Sequence, residues 1–313
     1  MARTQSRDIL SVADLGAEAL EQILAQAERL RRAPRGDILA GQTMALIFEK
    51  PSLRTRVSFE LAMQELGGYC VVLRPDEIQM GKREAIRDIA AYLSRNVTVA
   101  ALRVFQHDTL LQFAGHADVP VINALSDVEH PCQALADLLT IRQHMQRLAG
   151  VRLTYLGDGN NVCHSLLLGG ALTGMQMTVA CPPEYAPAPE VLAEVARLGA
   201  AHDASVRVLH DADAAVEGAD VLYTDVWTSM GQEDETARRR ERFHPFQLDS
   251  ARLAAAPEAI VLHCLPAHRG EEITDEVLES PQAVVFQQAE NRRHAQKAAI
   301  VHVLELNAGG ASA

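Results

Sequence analysis

The first half of the chain alternates between two hydrophobic patterns. Apolar residues recur at helical spacing over 20–30 and 59–66, whereas short apolar runs of strand length cover 43–48, 69–73 and 97–104. The other elements predicted for this half are helices over 86–93 and 131–148 and an extended segment over 120–123. Strands and helices are therefore expected to follow each other in turn.

The alternation restarts after Gly150. Strands are predicted here over 151–156, 177–181, 206–209, 221–223, 260–262 and 284–286, and helices fit between most of them. Such alternation builds parallel sheets covered by helices. We therefore expect an α/β protein of two lobes, each a mainly parallel sheet covered by helices, with the active site in the cleft between them.

The domain boundary is placed near residue 150. Residues 1–149 would form one domain and residues 150–289 a second. The last helix, over 290–307, could belong to either lobe and is expected to pack back on the first. Ligands of parallel sheets bind beyond the carboxyl ends of the strands. The loops of interest therefore follow Phe48, Val104, Asn123, Leu156, Tyr223 and Leu262.

Composition restricts the possible partners. The 313 residues include 29 Lys and Arg against 41 Asp and Glu, a net charge of −12, whereas nucleic acids and anionic membranes select a basic face. We therefore expect neither as a partner. The five cysteines lack C-x-x-C spacing and no apolar leader is visible, which predicts an uncleaved cytoplasmic protein. Arginine dominates the basic residues, since lysine occurs only at Lys50, Lys82 and Lys297.

The segment 48–56 (FEKPSLRTR) joins a strand end to a helix start. Amides of the first helical turn, the hydroxyls of Ser52 and Thr55 and the guanidinium of Arg54 could together bind an oxyanion such as phosphate. The alternative is that Ser52 only caps the helix while the arginines are solvated. The segment is not a P-loop, because the chain lacks G-x-x-x-x-G-K-[ST].

His130 and Gln133 lie in an H-P-C-Q segment at the start of the long helix. Pro131 suits the first helical position, which leaves His130 at the cap. A neutral imidazole there can donate a hydrogen bond to a developing oxyanion. The alternative is a capping histidine with Cys132 in the core.

The segment 157–161 (GDGNN) begins like a dinucleotide-binding fingerprint, and a hypothesis of an NAD-dependent dehydrogenase rests on it alone. The third glycine position holds Val162, and the next strand ends in Cys-Pro-Pro, without an acid for the ribose. The fingerprint is therefore incomplete. Asn160 and Asn161 could instead bind a zwitterionic ligand or close an Asx turn.

The segment 225–231 (DVWTSMG) follows an apolar strand. Asp225 at a strand end, followed by a polar loop with a glycine, can bind an ammonium group and close over it. The alternative is a surface loop with a capping aspartate.

The segment 263–270 (HCLPAHRG) allows three interpretations. A zinc site from His263, Cys264 and His268 lacks a fourth ligand and the usual spacing. A covalent Cys–His nucleophile is the second possibility. In the third, Cys264 and the Leu265 carbonyl make non-covalent contacts to a substrate amine.

Four motifs together resemble one family. S-x-R-T-R at 52–56, H-P-C-Q at 130–133, D-x-x-x-S-M-G at 225–231 and H-C-L-P at 263–266 occur in this order. They resemble the aspartate/ornithine carbamoyltransferase superfamily, and within it the ornithine carbamoyltransferases, over nearly the whole chain. The first two motifs are shared with aspartate carbamoyltransferases, and the latter two identify the acceptor.

The resemblance implies an enzyme of arginine and citrulline metabolism that needs neither cofactor nor metal. It would transfer the carbamoyl group of carbamoyl phosphate to the δ-amine of L-ornithine, giving L-citrulline and phosphate. The catalytic residues would be Arg54, Arg103, His130 and Cys264. Those binding carbamoyl phosphate would be Ser52, Leu53, Arg54, Thr55, Gln79, Arg103, His130, Gln133, Cys264, Leu265 and Arg292. Those binding ornithine would be Asn161, Asp225, Ser229 and Met230.

The resemblance further implies a homotrimer, in which Gln79 reaches the active site of a neighbouring subunit. Leu53 departs from the family's frequent S-T-R-T-R and removes one hydroxyl, although a backbone amide can still serve there.

Other activities stay open at this point. Alternative acceptors are aspartate, putrescine and an N-acylated ornithine. Aspartate enzymes do not usually carry Cys264 with the S-M-G segment, and putrescine has no amino-acid head group for Asp225 and Asn161 to bind. A non-catalytic carbamoyl phosphate sensor is a further alternative, against which the intact loops at Asp225 and Cys264 argue.

Overall fold

The structure is a computed structural model, and it describes residues 7–33, 35–228 and 233–310. The helices of the described part are α1 (Gly16–Arg32), α2 (Leu53–Glu65), α3 (Pro75–Ile78), α4 (Ile86–Ser94), α5 (His107–His116), α6 (Pro131–Met145), α7 (Asn161–Leu172), α8 (Pro189–Gly199), α9 (Ala212–Val216), α10 (Thr236–Phe243), α11 (Ser250–Ala255), α12 (Asp275–Leu278) and α13 (Val285–Gly310). Its strands are β1 (Thr43–Phe48), β2 (Tyr69–Leu73), β3 (Val99–Arg103), β4 (Val121–Leu125), β5 (Arg152–Leu156), β6 (Gln176–Ala180), β7 (Ser205–Leu209), β8 (Val221–Thr224) and β9 (Ile260–His263).

The chain divides into two compact units. Unit 1 comprises Met1–Leu139 and Glu290–Ala313, and unit 2 comprises Thr140–Ala289. The division falls inside α6 and inside α13. The ligand-binding domain ranges given above stay a prediction, because a division by compactness does not test which residues bind which ligand.

Unit 1 is built on a parallel sheet with the strand order β2-β1-β3-β4. The central strands β1 and β3 are buried along nearly their whole length, as expected where helices cover both faces of a sheet. Their register places Phe48 beside Arg103. The Glu49 N–H then donates to the Arg103 carbonyl at 2.9 Å. The segment that follows β1 therefore starts at the edge where β3 ends.

Unit 2 is built on a parallel sheet with the strand order β7-β6-β5-β8-β9. The register aligns Leu156 with Thr224, and Thr224 with His263. The segments that follow β5, β8 and β9 therefore leave the sheet at one edge. The strand order reverses between β5 and β8, and such a switch point is where α/β sheets form ligand crevices.

The two parallel sheets with their covering helices confirm the predicted fold class. The strand predicted over 284–286 is wrong, because only an isolated bridge joins Val261 to Ala283 and α13 begins at Val285. Good helix formers follow directly, and the Gln288 N–H already donates to the Val284 carbonyl at 2.9 Å. The helix therefore extends back into a sequence that is also suited to a strand.

Candidate active site

The segment after β1 caps helix α2. Ser52 has an extended backbone, and its hydroxyl accepts from the Thr55 N–H at 3.3 Å and donates to Thr55 Oγ1 at 2.9 Å. Thr55 is buried and also accepts from Arg292 Nη2 at 3.2 Å, which leaves its own proton for a ligand. Capping by Ser52 is compatible with anion binding, because it engages only one of the free amides at a helix N-terminus.

Leu53 and Arg54 form the first turn of α2 with Thr55. The Leu53 side chain is 75% exposed, and Arg54 is half-buried. Because leucine has no polar side-chain atom, any contribution of this position to an anion site comes from its backbone N–H.

Several cations surround His130 in unit 1. His130 precedes α6, Arg103 ends β3 and Arg292 lies on α13, and all three are buried. Burial, followed by the charges of Arg292, Arg103 and Lys50, holds the pKa of His130 well below its usual range. The imidazole is therefore neutral at physiological pH and can donate one N–H without carrying charge. A neutral donor among three cations suits a multiply charged anion.

Lys50 belongs to this group of cations, although the sequence motifs assign it no role. It is 9% exposed, and its ammonium lies 5.1 Å from the ring centroid of Phe105. Burial and the nearby Arg103 lower the pKa of Lys50 to about 8, against the opposing effect of Asp127 and Glu49. A signal was available, since this is one of three lysines in an arginine-rich chain and it directly precedes the Pro-Ser of the capping segment.

Gln133 lies in the first turn of α6 and is buried. Its Nε2 donates to Asp137 Oδ1 at 2.8 Å, which fixes the orientation of the amide. Its Oε1 is buried and has no hydrogen-bond partner among the described residues. A buried acceptor without a hydrogen bond costs free energy, and a ligand N–H that donated to Gln133 Oε1 would remove this cost. Burial raises the pKa of the neighbouring Cys132 to about 12, which makes that residue a core thiol.

Gln79 lies at an exposed turn rather than among these buried groups. It follows α3 with a φ of +42°, in the left-handed region that residues other than glycine rarely adopt. The turn is closed by hydrogen bonds, since the Lys82 N–H donates to the Gln79 carbonyl at 3.0 Å. The role of Gln79 toward a neighbouring subunit stays a prediction.

Asp225 of unit 2 is oriented by three donors. Its Oδ1 accepts from Cys264 Sγ at 2.9 Å and from the Val226 N–H at 2.8 Å, and its Oδ2 accepts from Asn160 Nδ2 at 3.0 Å. The residue is only 5% exposed. The structure thus brings the predicted residues Asp225 and Cys264 together, with a carboxylate of fixed orientation.

His263 orients the segment that carries Cys264 and Leu265. Its Nε2 donates to Glu272 Oε1 at 2.9 Å, and its Nδ1 accepts from the Leu265 N–H at 2.8 Å. His263 and Glu272 are both fully buried. Because both ring nitrogens are engaged, this imidazole cannot act as the base for Cys264 in this arrangement. The observation argues against the covalent Cys–His interpretation.

The potential metal ligands fall into two groups. Within the described residues, Asp225, His263 and Cys264 place ligand-type atoms within 4.8 Å of one another, and His268 is grouped with two glutamates instead. The zinc interpretation needed His263, Cys264 and His268 together, which this grouping does not provide. The engaged nitrogens of His263 also leave it no lone pair for a cation.

Asn160 takes the Asx role. Its Oδ1 caps α7 by accepting from the N–H groups of Val162 and Cys163 at 3.0 and 3.1 Å, while its Nδ2 bonds Asp225. Asn161 begins α7 and is half-buried. Its contact with ornithine stays a prediction.

The glycines of the G-x-G segment serve the packing of the chain itself. A Cβ on Gly159 would lie 2.3 Å from the backbone nitrogen of Pro187. The backbone at 186–187 therefore already occupies the space beside Gly159 that a dinucleotide pyrophosphate would need. This contact argues against the dehydrogenase hypothesis.

Ser229 and Met230 lie outside the described residues. Before them, Trp227 is buried, and its carbonyl accepts from Arg239 Nη1 at 3.0 Å. The same Nη1 donates to Asp158 Oδ2 at 2.7 Å. Arg239 thus connects the segment after β8 with the turn after β5. The sequence did not reveal this role, because Arg239 stands in a run of three arginines that is typical of a solvated helix.

The chain matches known proteins over nearly its whole length. Residues 7–143 match the family described as "Aspartate/ornithine carbamoyltransferase, carbamoyl-P binding domain", and residues 149–303 match "Aspartate/ornithine carbamoyltransferase, Asp/Orn binding domain". An ornithine carbamoyltransferase of Methanospirillum hungatei JF-1 is 50% identical over 303 residues, which cover 95% of this chain and 99% of the relative.

Solved structures agree with these matches. The ornithine carbamoyltransferase from Pyrococcus furiosus has a TM-score of 0.93 and 45% identity, covering 97% of this chain and 99% of its own. A variant of an N-acetyl-L-ornithine transcarbamylase has a TM-score of 0.86 and 32% identity, and the match covers 94% of this chain and 98% of that protein's chain. This chain therefore belongs to the aspartate/ornithine carbamoyltransferase family and is a carbamoyltransferase.

Proposed function

We propose that the protein transfers the carbamoyl group of carbamoyl phosphate to the δ-amine of L-ornithine, producing L-citrulline and phosphate. The observation that carries this proposal is the buried group in unit 1, where Lys50, Arg103 and Arg292 surround a neutral His130. Carbamoyl phosphate carries about two negative charges, which these cations and the start of α2 offset. Relatives named ornithine carbamoyltransferase, at 50% and 45% identity, support ornithine as the acceptor.

Different residues of unit 1 would bind the phosphate and the carbamoyl group of carbamoyl phosphate. Arg54, Arg292, the Thr55 hydroxyl and the first-turn amides of α2 bind the phosphate. His130 donates to the carbamoyl oxygen, and Gln133 Oε1 accepts from the carbamoyl N–H. Asp137 keeps the Gln133 amide in the orientation that this requires, since it holds Nε2 on the opposite side.

The same donors serve the reaction. Attack by the amine makes the carbamoyl carbon tetrahedral and puts negative charge on its oxygen, where preorganised donors such as His130, Arg54 and Thr55 act. Each such donor contributes about 3 kcal/mol to lowering the barrier. Phosphate then departs with the electron pair of its C–O bond and takes up the proton that the attacking nitrogen loses, and the new C–N bond remains.

The acceptor must present a neutral amine. A free alkylammonium has a pKa of about 10.4 by analogy with lysine, and desolvation beside cations lowers it. The fixed carboxylate of Asp225 binds the α-ammonium group of the amino acid. Cys264 stays non-covalent in this scheme, because its Sγ donates to the weakly basic carboxylate of Asp225 and both ring nitrogens of His263 are engaged elsewhere.

The proposal is tested by measuring carbamoylation of ornithine, N-acetylornithine, putrescine and aspartate under identical conditions. We expect the largest kcat/KM with ornithine, because Asp225 is placed for a free α-ammonium that N-acetylation removes and putrescine lacks. A larger kcat/KM for any other amine would overturn the choice of acceptor. Turnover itself excludes a carbamoyl phosphate sensor, and calorimetry with NAD tests the dehydrogenase hypothesis.

The KM for carbamoyl phosphate is expected to rise above about pH 8, where Lys50 loses its proton. The lowered pKa makes Lys50 cationic below about pH 8, where it helps to bind the dianion of carbamoyl phosphate. Above this pH the lysine is neutral and this attraction is lost. KM is measured at saturating ornithine from about pH 7 to about pH 9.5.

Two variants control this experiment. Lys50→Arg keeps its charge throughout the range and should remove the rise, whereas Lys50→Met should raise KM at every pH. A flat profile for the wild-type enzyme, or the same rise in Lys50→Arg, would contradict the assignment to Lys50.

Cys264→Ser is expected to retain measurable activity, because a serine hydroxyl can still donate to Asp225 Oδ1. Intact-protein mass spectrometry after mixing with carbamoyl phosphate should detect no carbamoyl-enzyme. A trapped adduct on Cys264, or complete loss of turnover in a folded Cys264→Ser variant, would revive the covalent interpretation.

We further propose a cytoplasmic homotrimer in arginine and citrulline metabolism, in which Gln79 completes the site of a neighbour. No helix of the described part is both long and apolar enough to cross a membrane.

Mixed, refolded preparations of Gln79→Ala and Arg54→Ala should regain part of the wild-type activity, because some sites then combine intact residues from two subunits. No gain over the separate variants would argue against a shared site.

A further inference from the structure

Lys297 is a lysine in an unusual place. It is one of three lysines among 29 basic residues, and it is fully buried on α13. Its ammonium donates to Glu65 Oε2 at 2.8 Å and to the Leu30 carbonyl at 3.0 Å. Lysine is almost never fully buried unless it is paired. A compact ammonium, rather than the arginine used nearly everywhere else, therefore fits this position.

Glu65 is shared by two cations of α13. Its Oε1 lies 3.2 Å from Arg293 Nη1, and its Oε2 lies 2.8 Å from Lys297 Nζ. Glu65 is the last residue of α2, and its side chain is only 14% exposed. Both carboxylate oxygens thus tie α13 to the C-terminal end of α2.

The same two helices are also joined at the other end of α2. Arg292, the neighbour of Arg293, donates to Thr55 Oγ1 at 3.2 Å, and Thr55 lies in the first turn of α2. Thr55 and Glu65 are separated by ten residues, or about 15 Å along the helix. Polar contacts therefore join α13 to both ends of α2, and the first of these ends is where the donor phosphate is proposed to bind.

The charges of this region are balanced. Glu290 approaches Arg293 at 3.4 Å and His294 at 3.6 Å. Burial and the cations Lys297 and Arg293 lower the pKa of His294 to about 4, against the effect of Glu290. His294 is therefore neutral at physiological pH and adds no further positive charge beside Arg293 and Lys297.

We propose that Glu65, Arg293 and Lys297 form a positioning clamp, which sets the register of α13 along α2 and so aligns Arg292 with the first-turn amides of α2 for the phosphate of the donor. This inference rests on the proposed function of that site. Buried ion pairs add little stability compared with an apolar pair of the same volume. Their hydrogen bonds are directional, however, and fix how two helices are placed along each other, which apolar side chains do less strictly.

The clamp is tested with Lys297→Met, Glu65→Gln and the apolar pair Glu65→Leu/Lys297→Met. The matched control is Glu60→Gln, which removes the same charge from a residue of α2 that pairs with the exposed Arg56 at 3.3 Å. Three quantities are measured for each protein: the Kd for inorganic phosphate by calorimetry, the KM for each substrate, and Tm.

We expect both single variants to lower Tm and to raise the phosphate Kd and the KM for carbamoyl phosphate about tenfold or more, with the KM for ornithine nearly unchanged. The apolar pair should recover Tm while the phosphate Kd stays raised. Glu60→Gln should match the wild type in all three.

Recovery of both Tm and phosphate affinity in the apolar pair would show that the clamp serves stability alone and would overturn the proposal. An unchanged phosphate Kd in folded single variants, or an equal rise of both KM values, would do the same. If Lys297→Met does not fold, the apolar pair decides the question, because it removes Glu65 and Lys297 together and leaves Arg293 with Glu290. A wild-type protein that binds phosphate but forms no citrulline would contradict the proposed function, and the phosphate Kd would still test the clamp.

Discussion

Replacing Arg54 with alanine is expected to lower kcat for citrulline formation roughly 10²–10³-fold. Arg54 lies in the first turn of α2, next to the buried Thr55, whose hydroxyl oxygen accepts from Arg292. In the proposed reaction its guanidinium donates to the phosphate and to the developing oxyanion. Its loss therefore removes an interaction that is stronger in the transition state than in the bound substrate. The measurement is initial rate at saturating concentrations of both substrates.

Arg56→Ala is the matched control for Arg54→Ala. Arg56 lies two residues further along α2, is exposed, and pairs with Glu60 at 3.3 Å. An exposed pair of this kind contributes little to stability, so kcat should stay near the wild-type value. Near-normal kcat in Arg54→Ala would refute its catalytic role, and an equal loss in Arg56→Ala would show that the effect is not specific.

Replacing Asp225 with asparagine is expected to lower kcat/KM for ornithine roughly 10³-fold, because a site built for a charged polar group is left mismatched. The substitution removes the carboxylate charge that binds the α-ammonium group. It also sets an amide donor against either Asn160 Nδ2 or the Cys264 thiol and Val226 N–H, which all donate to Asp225 now. The KM for carbamoyl phosphate should change less than that for ornithine, since most of its proposed ligands are in unit 1 around His130 and only Cys264 and Leu265 are in unit 2.

The control for this substitution is Asp220→Asn. Asp220 lies in the same unit and pairs with the exposed Arg152 at 2.7 Å, just before β8 rather than after it. Steady-state kinetics of both variants with ornithine as the varied substrate provide the comparison. If Asp225→Asn kept a wild-type kcat/KM, or if Asp220→Asn lost as much, Asp225 could not be the ligand of the ammonium group.

Much of the fold follows from hydrophobic spacing alone. The runs that form β1 and β5 are recognisable because parallel strands covered on both faces need continuous apolar sequence. The misassigned segment at 284–286 shows the limit of this signal. Its residues suit a strand or a helix equally, and the Val284 N–H does donate to the Val261 carbonyl at 3.0 Å before the helix takes over. Only the surrounding fold decides between the two.

The sequence predicts the candidate site best where its residues directly follow the ends of neighbouring strands. Asp225 and Cys264 follow strands whose ends are aligned by the sheet register, so their meeting is a consequence of topology. Residues that act through another side chain were not predictable in this way. Glu272 is recognised only by its bond to His263, because no helical or strand spacing relates these two positions. Asp137 is the i+4 neighbour of Gln133 on α6, so helical spacing allows their hydrogen bond but does not show that it orients a ligand-binding amide.

The lysine distribution also has a practical consequence for chemical labelling. Of the three lysines, Lys50 and Lys297 are buried, and Lys82 is exposed next to the Gln79 turn. In a separate subunit an amine-reactive fluorophore should therefore reach Lys82 more readily than the other two lysine side chains, whereas in the proposed trimer this turn meets a neighbour. Such a label would put a spectroscopic reporter on this turn without the introduction of a foreign cysteine.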